Sequence, residues 1–456
     1  MICVLLQGVM MANKINLSND FPTITESDKL YNRAIGLIPS VTQTLAKGPG
    51  QWVNGIAPKY LVRGKGSHVW DVDGNEYIDY MMGVGPLSLG YAYPKVDEAI
   101  KKQLEDGITF SMMHPLEVEV AEMIRTIVPN AEAVRYSKTG ADATSAAVRL
   151  ARAYTNKNKI LCCGYHGWHD WYVAVTARNH GIPEAVQAIS FTFNYNDLDS
   201  VKDSIDDDVA AVILEPVVFQ EPKDNFLQKL AELCEQKGIV LIFDEMWTGF
   251  RMALGGAQEY FGIIPDLATY SKAVANGMPI SILTGKRKIM DLADEDIFFY
   301  TTFGGEALSL AAAKATIAEL RDKNVPKYLE DQGKKLKNGY NAIAQKLEMS
   351  YTKVIGYNWR SMATFDEKAG DPLIQKSLMQ QEMIKRGVLW QGFHNMSFSH
   401  SDADVDYTLQ ALEESLSVLK KAVQQNKLKE MLRGKPVQPV FRKVDNFNMK
   451  PFSKQK

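Results

Sequence analysis

Three observations predict an α/β fold, with a mostly parallel sheet buried between helices and a smaller α+β unit following it. Between about residues 95 and 325, helical patterns alternate with short, nearly continuous apolar runs: Lys159 to Cys163, Val209 to Leu214, Ile239 to Phe243 and Ile280 to Thr284. Strands that are apolar on both faces must be covered on both, the situation of a parallel sheet with crossover helices. Beyond residue 325 the pattern changes to amphipathic helices around a strand candidate. Finally, 456 residues, 46% hydrophobic and 23% charged, supply core for two domains or for one large domain with appendages.

In chain order, the opening Met1 to Val9 is apolar but lacks a basic leader and a cleavage site and is too short to cross a bilayer. It reads as an extension ahead of a start at Met10 or Met11. Residues 1–65 are expected to form an N-terminal arm, punctuated by the turn signals Lys47-Gly48-Pro49-Gly50 and Arg63-Gly64-Lys65-Gly66. From His68 to Tyr80 apolar and polar residues alternate around Asp73-Gly74, which predicts a hairpin at the start of a large domain over 66–325. Within that domain Phe226 to Cys234 has helical spacing, and Gly238 closes the crossover before the next strand. A small domain over 326–426 carries helices at about Pro326 to Leu347 and Pro372 to Lys385, a strand near Ser361 to Phe365, and a last helix from about Asp404 to Val423. Residues 427–456 are basic and contain Gly434, Pro436, Pro439 and Pro451, the composition of a surface strap or disordered tail.

Fifty-two basic residues against 54 acidic ones give a formal charge of −2, so no global field points to nucleic acid or a membrane. The four cysteines, Cys3, Cys162, Cys163 and Cys234, show no CxxC spacing, and a reducing cytoplasm is the simplest setting.

The chemistry centres on Lys272. It lies among small, apolar and Gly-rich neighbours, and the strand end Phe243-Asp244-Glu245 places Asp244 28 positions before it. A lysine amine can form a Schiff base with an aldehyde cofactor, and a carboxylate against a pyridine nitrogen keeps that ring an electron sink. The pair therefore reads as a pyridoxal phosphate site. The plainer readings are a solvated surface lysine, and an aspartate that caps a helix or pairs with Arg251. Met246, two residues past Asp244, would share its side of a continuing strand and pack beneath a ring.

Thr139-Gly140-Ala141 opens an apolar helix, where free N–H groups and the helix dipole suit a phosphate. Gly164-Tyr165-His166-Gly167-Trp168-His169-Asp170 follows a buried strand and offers aromatic faces for stacking on a flat ring. His166 and His169 have the spacing of a metal pair, but no third ligand accompanies them, so no metal is expected.

Together these residues resemble the class III aminotransferases of the fold type I pyridoxal phosphate enzymes, most closely their glutamate-1-semialdehyde 2,1-aminomutase-like branch. The resemblance runs from about residue 35 to 425 and rests on Trp70 to Asn75, Gly164 to Gly167, Leu214 to Val217, Asp244 to Arg251, Ser271-Lys272 and Thr301 to Glu306. It implies that Lys272 holds the cofactor and shuttles protons while Asp244 pairs with the pyridinium. Tyr165 would stack on the ring, with His166 beside it in the same motif and Met246 on the other face, where the family more often has valine. Thr139, Gly140 and Ala141 would hold the phosphate, Ala141 standing in place of a usual threonine. Gln220 would lie near the ring hydroxyl. Thr302 would reach the phosphate of a neighbouring subunit, which implies a homodimer with composite active sites.

Two departures bear on the reaction. Where the aminomutase has an arginine for the substrate carboxylate, this sequence reads Val41 to Gly48, and Lys47 is not its equivalent. The aminomutase's acidic gating residue has no counterpart in Val388 to Asn395. The leading expectation is a ping-pong aminotransferase acting on a small-molecule amino donor and a carbonyl acceptor. The alternatives are the intramolecular aminomutase or an ammonia lyase, and a non-catalytic binding module on the same scaffold. A nicotinamide enzyme ranks below these, because Arg63-Gly64-Lys65-Gly66 is no GxGxxG helix start.

Overall fold

A computed structural model describes residues 20–294 and 296–439. Strands β1 (Leu61–Lys65), β2 (His68–Asp71) and β3 (Glu76–Asp79) come first. Seven more follow: β4 (Ala133–Ser137), β5 (Lys159–Cys163), β6 (Ser190–Thr192), β7 (Val209–Leu214), β8 (Val240–Asp244), β9 (Leu267–Tyr270) and β10 (Ser281–Gly285). The last four are β11 (Thr352–Tyr357), β12 (Arg360–Phe365), β13 (Val388–Leu389) and β14 (Phe393–Asn395).

The central sheet has the order β4-β10-β9-β8-β7-β5-β6. Only β10 runs against its neighbours, β4 and β9. The reason is local: a parallel crossover needs a dozen or more residues, and the segment 271–280 between β9 and β10 is too short for one. Alternation on the inner strands feeds two cores. Val212 and Leu214 of β7 and Leu241 and Phe243 of β8 pack into one core, and Ala211, Ile213, Val240 and Ile242 into the other. The second core is closed by Ala146, Ala147, Val148, Leu150 and Ala151 of the helix Gly140–Thr155. By strand periodicity, Asp244 shares the side of Ile242 and therefore faces that helix.

The four apolar runs read from the sequence are β5, β7, β8 and β10, to within a residue at each end. Strands β4, β6 and β9 were not foreseen, because they are short or mix Arg, Ser and Thr with apolar residues and leave no apolar run. The expected hairpin is β2–β3, and β1 extends it. The expected arm boundary falls between β1 and β2. The hairpin's remaining edge is taken by β13, with Ile78 opposite Val388.

In the C-terminal part, β11-β12-β14 form an antiparallel sheet accompanied by helices Val325–Lys346, Pro372–Lys385 and Asp402–Gln424. The described part of the basic tail is a strap: Lys435 N–H donates to Asn54 O at 2.8 Å, and Gln438 N–H to Gly50 O at 2.7 Å. Val437 is buried beneath it with Val53, Ile56 and Leu389. The apolar opening Met1 to Val9 and the rest of the tail lie outside the described residues. Among the described residues no helix is long and apolar enough to cross a membrane.

Candidate active site

Strand β9 delivers Lys272 to the end of the sheet. Ser271 ends the extended backbone with its hydroxyl donating to Ile280 O at 2.6 Å, and Lys272 opens a single 3-10 turn with φ +48°. A left-handed lysine costs about 1–3 kcal/mol and persists only where its surroundings dictate it. Here Ala273, Val274 and Ala275 are fully buried and fix the turn. The lysine Nζ lies 3.7 Å from the centre of the Trp247 ring. Burial first, and then the Arg360 and Arg251 guanidinium groups, hold its amine well below the ordinary lysine value, against the opposing pull of Glu215 and Asp244. An amine so placed is nucleophilic at neutral pH.

Asp244, 1% exposed at the end of β8, is held from two sides. Its Oδ1 accepts from Met246 N–H at 3.1 Å, and its Oδ2 lies 2.7 Å from His166 Nδ1. His166 Nε2 lies 3.2 Å from Cys163 O, so each ring nitrogen faces an oxygen atom and the ring is held at both ends. The pairing of Asp244 with Arg251, the plainer reading, does not occur: Arg251 Nη1 donates to Trp247 O at 3.0 Å. Nor do His166 and His169 converge, since His169 Nδ1 bonds Ser145 Oγ at 2.6 Å. Among the described residues no group of three metal-binding side chains occurs.

The helix Gly140–Thr155 begins beside this pair. Thr139 caps it, its Oγ1 accepting from Asp142 N–H at 3.2 Å while Asp142 Oδ2 accepts from Thr139 N–H at 2.8 Å. The N–H groups of Gly140 and Ala141 have no acceptor among the described residues and are the open donors of the helix. A side chain on Gly140 would meet Met246 Sδ at 2.9 Å, so Met246 packs against the helix start. Gly167, at φ +107°, brings the loop after β5 so close that a Cβ there would lie 2.6 Å from that of Ala141. The unusual alanine thus fits a contact a larger residue would break. Tyr165 in that loop is 41% exposed, with its N–H donating to Glu215 Oε1 at 2.7 Å.

The structure therefore gathers Lys272, Asp244, Met246, Tyr165, His166 and the 139–141 turn into one cleft. Gln220 is exposed in the bend after β7 and makes no hydrogen bond to the cluster. Its neighbour Phe219 reaches inward instead, stacked on Arg360 at 4.6 Å. Thr302 is exposed on the surface and likewise forms no hydrogen bond to the cluster.

Four cleft residues escaped the sequence reading of roles: Glu215, Trp247, Phe219 and Arg360. Glu215 and Trp247 sit inside motifs noted for other reasons, so their place was signalled but not their function. Trp247 is seated by Gly85, whose Cβ, at φ +93°, would fall 2.3 Å from the indole. Arg360 Cζ lies 3.5 Å from the Trp247 ring centre and one residue ahead of the expected strand. Nothing in the sequence joins position 360 to position 272.

Comparison with known proteins gives the family. The family model described as Aminotransferase class-III matches residues 53–403. A 3-aminobutyryl-CoA aminotransferase of Cloacimonas acidaminovorans is 35% identical over 90% of this chain and 100% of its own length. A glutamate-1-semialdehyde 2,1-aminomutase of Fusobacterium nucleatum subsp. nucleatum is 34% identical over 84% of this chain and 95% of its own. The solved pyridoxal phosphate internal aldimine form of the FumI protein of Sphingopyxis sp. MTA144 superposes with a TM-score of 0.82 at 30% identity, covering 91% of this chain and 99% of that one.

Proposed function

The chain belongs to the class-III aminotransferases, enzymes that use pyridoxal 5'-phosphate, and from that premise we propose that it carries an amino group from a small-molecule donor to a carbonyl acceptor in two half-reactions. The observation that carries the reading is the depressed amine of Lys272 in one cleft with the buried carboxylate of Asp244.

The residues present fit the cofactor. The open N–H groups of Gly140 and Ala141 suit its phosphate, Asp244 its ring nitrogen, Met246 and Tyr165 its faces, and Lys272 its aldehyde. When bound, the cofactor supplies the aldehyde and an electron sink for the carbanion formed on the substrate. With the cofactor bound, Lys272 would hold its aldehyde, and its freed amine would take and return the proton of the substrate carbon. Asp244 would face the ring nitrogen, and His166, 2.7 Å from its Oδ2, holds the carboxyl group in place. Trp247 and Gly85 wall the amine from solvent.

The aminotransferase relative supports an amino group β to an acyl function as the transferred one. The aminomutase relatives support an intramolecular second reading, against which stand the missing arginine in residues 41–48 and the missing acidic gate. Two copies are proposed to pair through the surface around Thr302. Phe298 (76% exposed), Phe303 (57%), Met112 (75%) and Met113 (78%) crowd there, and Ala307 N–H donating to Ile108 O ties the two segments together. An apolar patch of this kind suits a subunit interface.

Borohydride reduction of the holoenzyme followed by peptide mapping tests the site: Lys272 should carry the label, and a different lysine would reject the assignment. Donor-dependent bleaching of the cofactor that a keto acid reverses is expected for transfer. Turnover of a single substrate without keto acid would favour the mutase instead.

A further inference from the structure

Beyond the cofactor residues, the cleft continues as an alternating series of cations and aromatic rings. Lys272 Nζ and Arg360 Cζ lie 3.7 and 3.5 Å from the Trp247 ring centre. Arg360 also stacks on Phe219 at 4.6 Å, Phe219 on Phe393 with centroids 5.5 Å apart and planes 24° from parallel, and Lys376 lies 5.3 Å from the Phe393 ring. All six side chains are half-buried.

We propose that this track binds the substrate: Arg360 receives a carboxylate or phosphate near the reacting carbon, and Phe219, Phe393 and Lys376 receive a longer acidic chain. The proposal deepens the aminotransferase reading and rests on it for the identity of the reacting end. Arg360 opens β12 and pairs with Tyr357 of β11 and Asn395 of β14, so the backbone that carries it is fixed on both sides. A planar guanidinium offers two parallel donors to an oxyanion, which Lys47 in the N-terminal segment cannot. Two guanidinium groups, those of Arg251 and Arg360, lie 5.5 and 3.5 Å from the Trp247 ring centre, so positive charge is concentrated at the inner end of the track. Lys376 makes no ion pair or hydrogen bond among the described residues, and burial pulls its ammonium down to about 8. That is the state of a cation whose counter-charge arrives with a ligand.

The test uses the holoenzyme and named probes. Calorimetry gives Kd for the unreactive acids acetate, glutarate and adipate, and cofactor bleaching gives KM for 4-aminobutyrate against n-butylamine. Arg360→Gln is expected to weaken all three acids and to raise KM for 4-aminobutyrate about tenfold or more beyond whatever change n-butylamine shows, the neutral donor reporting the effect of the lost guanidinium on the Lys272 amine. Lys376→Met should weaken adipate and leave acetate alone. Arg360→Lys, which keeps the charge and loses the fork, should fall between and stands in if the glutamine variant fails to load cofactor. Equal losses for charged and neutral donors, or no binding of any acid by the wild type, would overturn the proposal. If acids bind through Arg360 but no donor bleaches the cofactor, transamination fails while the anion site stands.

Discussion

At the scale of single residues, the carboxylate of Asp244 matters through the two groups that hold it. Asp244→Asn keeps the shape and removes the charge. We expect kcat to fall by about 100-fold or more, since an ion pair with the ring nitrogen is lost from a buried site. Borohydride labelling of Lys272 should persist, because the aldehyde end is untouched. His166→Leu removes one charge-assisted contact to that carboxylate and should cost about 10- to 100-fold in kcat with a smaller effect on KM. A parallel collapse of labelling in either variant would show that the residue holds the fold rather than the chemistry. Lys272 and Asp244 were legible because a buried strand end and a lysine among small residues are local patterns. Arg360 was not, because its role comes from a ring contributed more than a hundred positions earlier. Tyr165 and His166 are neighbours in one motif, yet the geometry divides them: Tyr165 stands half open and His166 lies behind Asp244.

At the scale of elements, the long helices and the buried strands followed from periodicity. The helix Pro372–Lys385 has the very ends expected, set by Pro372 and its Asp371 cap. The short strands failed as predictions because three to five residues with polar members carry no periodic signal. One of the short strands, β14, also brings a pH response. His394 is fully buried, with Trp390 Nε1 donating to its Nε2 at 2.9 Å and Ser361 Oγ 3.0 Å from its Nδ1. Burial, with the nearby His400 adding to it, pushes its ring down to about 3 from 6.5. Burial likewise pushes His400 down to about 4. Between those values and 6.5 the unfolded chain binds the protons and the folded one does not. Stability is therefore full above pH 6.5 and lost as pH falls, by about 1.4 kcal/mol per pH unit for each ring. Glu245, pushed up to about 7 chiefly by burial, acts with the opposite sign over part of that range. The difference between wild type and His394→Gln isolates one ring: urea melts should show the wild type losing ground steadily from pH 6.5 to 4. A difference independent of pH would refute the assignment.

At the scale of the whole molecule, the proposed pairing of two copies makes the surface around Thr302 part of the catalytic unit. Phe303→Glu places a charge in that apolar patch and should shift sedimentation to the monomer, while the circular dichroism of the fold is kept. If Thr302 serves the neighbouring phosphate, the same variant should lose cofactor on dialysis. An unchanged sedimentation coefficient would remove this surface as the interface. The change of pattern near residue 325 precedes the separate sheet β11-β12-β14, but the union of the hairpin with β13 had no such signal. Such pairing joins segments some 300 positions apart, and no local spacing announces it. The same holds for the strap of residues 435–438 across 50–54. Because those backbone bonds close a loop of about 400 positions, Gly50 and Asn54 stay without these partners on the ribosome until residues 435–438 have emerged. Fastening of this strap is therefore expected late in folding, and a nascent chain stalled short of residue 435 should expose the 50–57 segment to proteases that the fastened molecule resists.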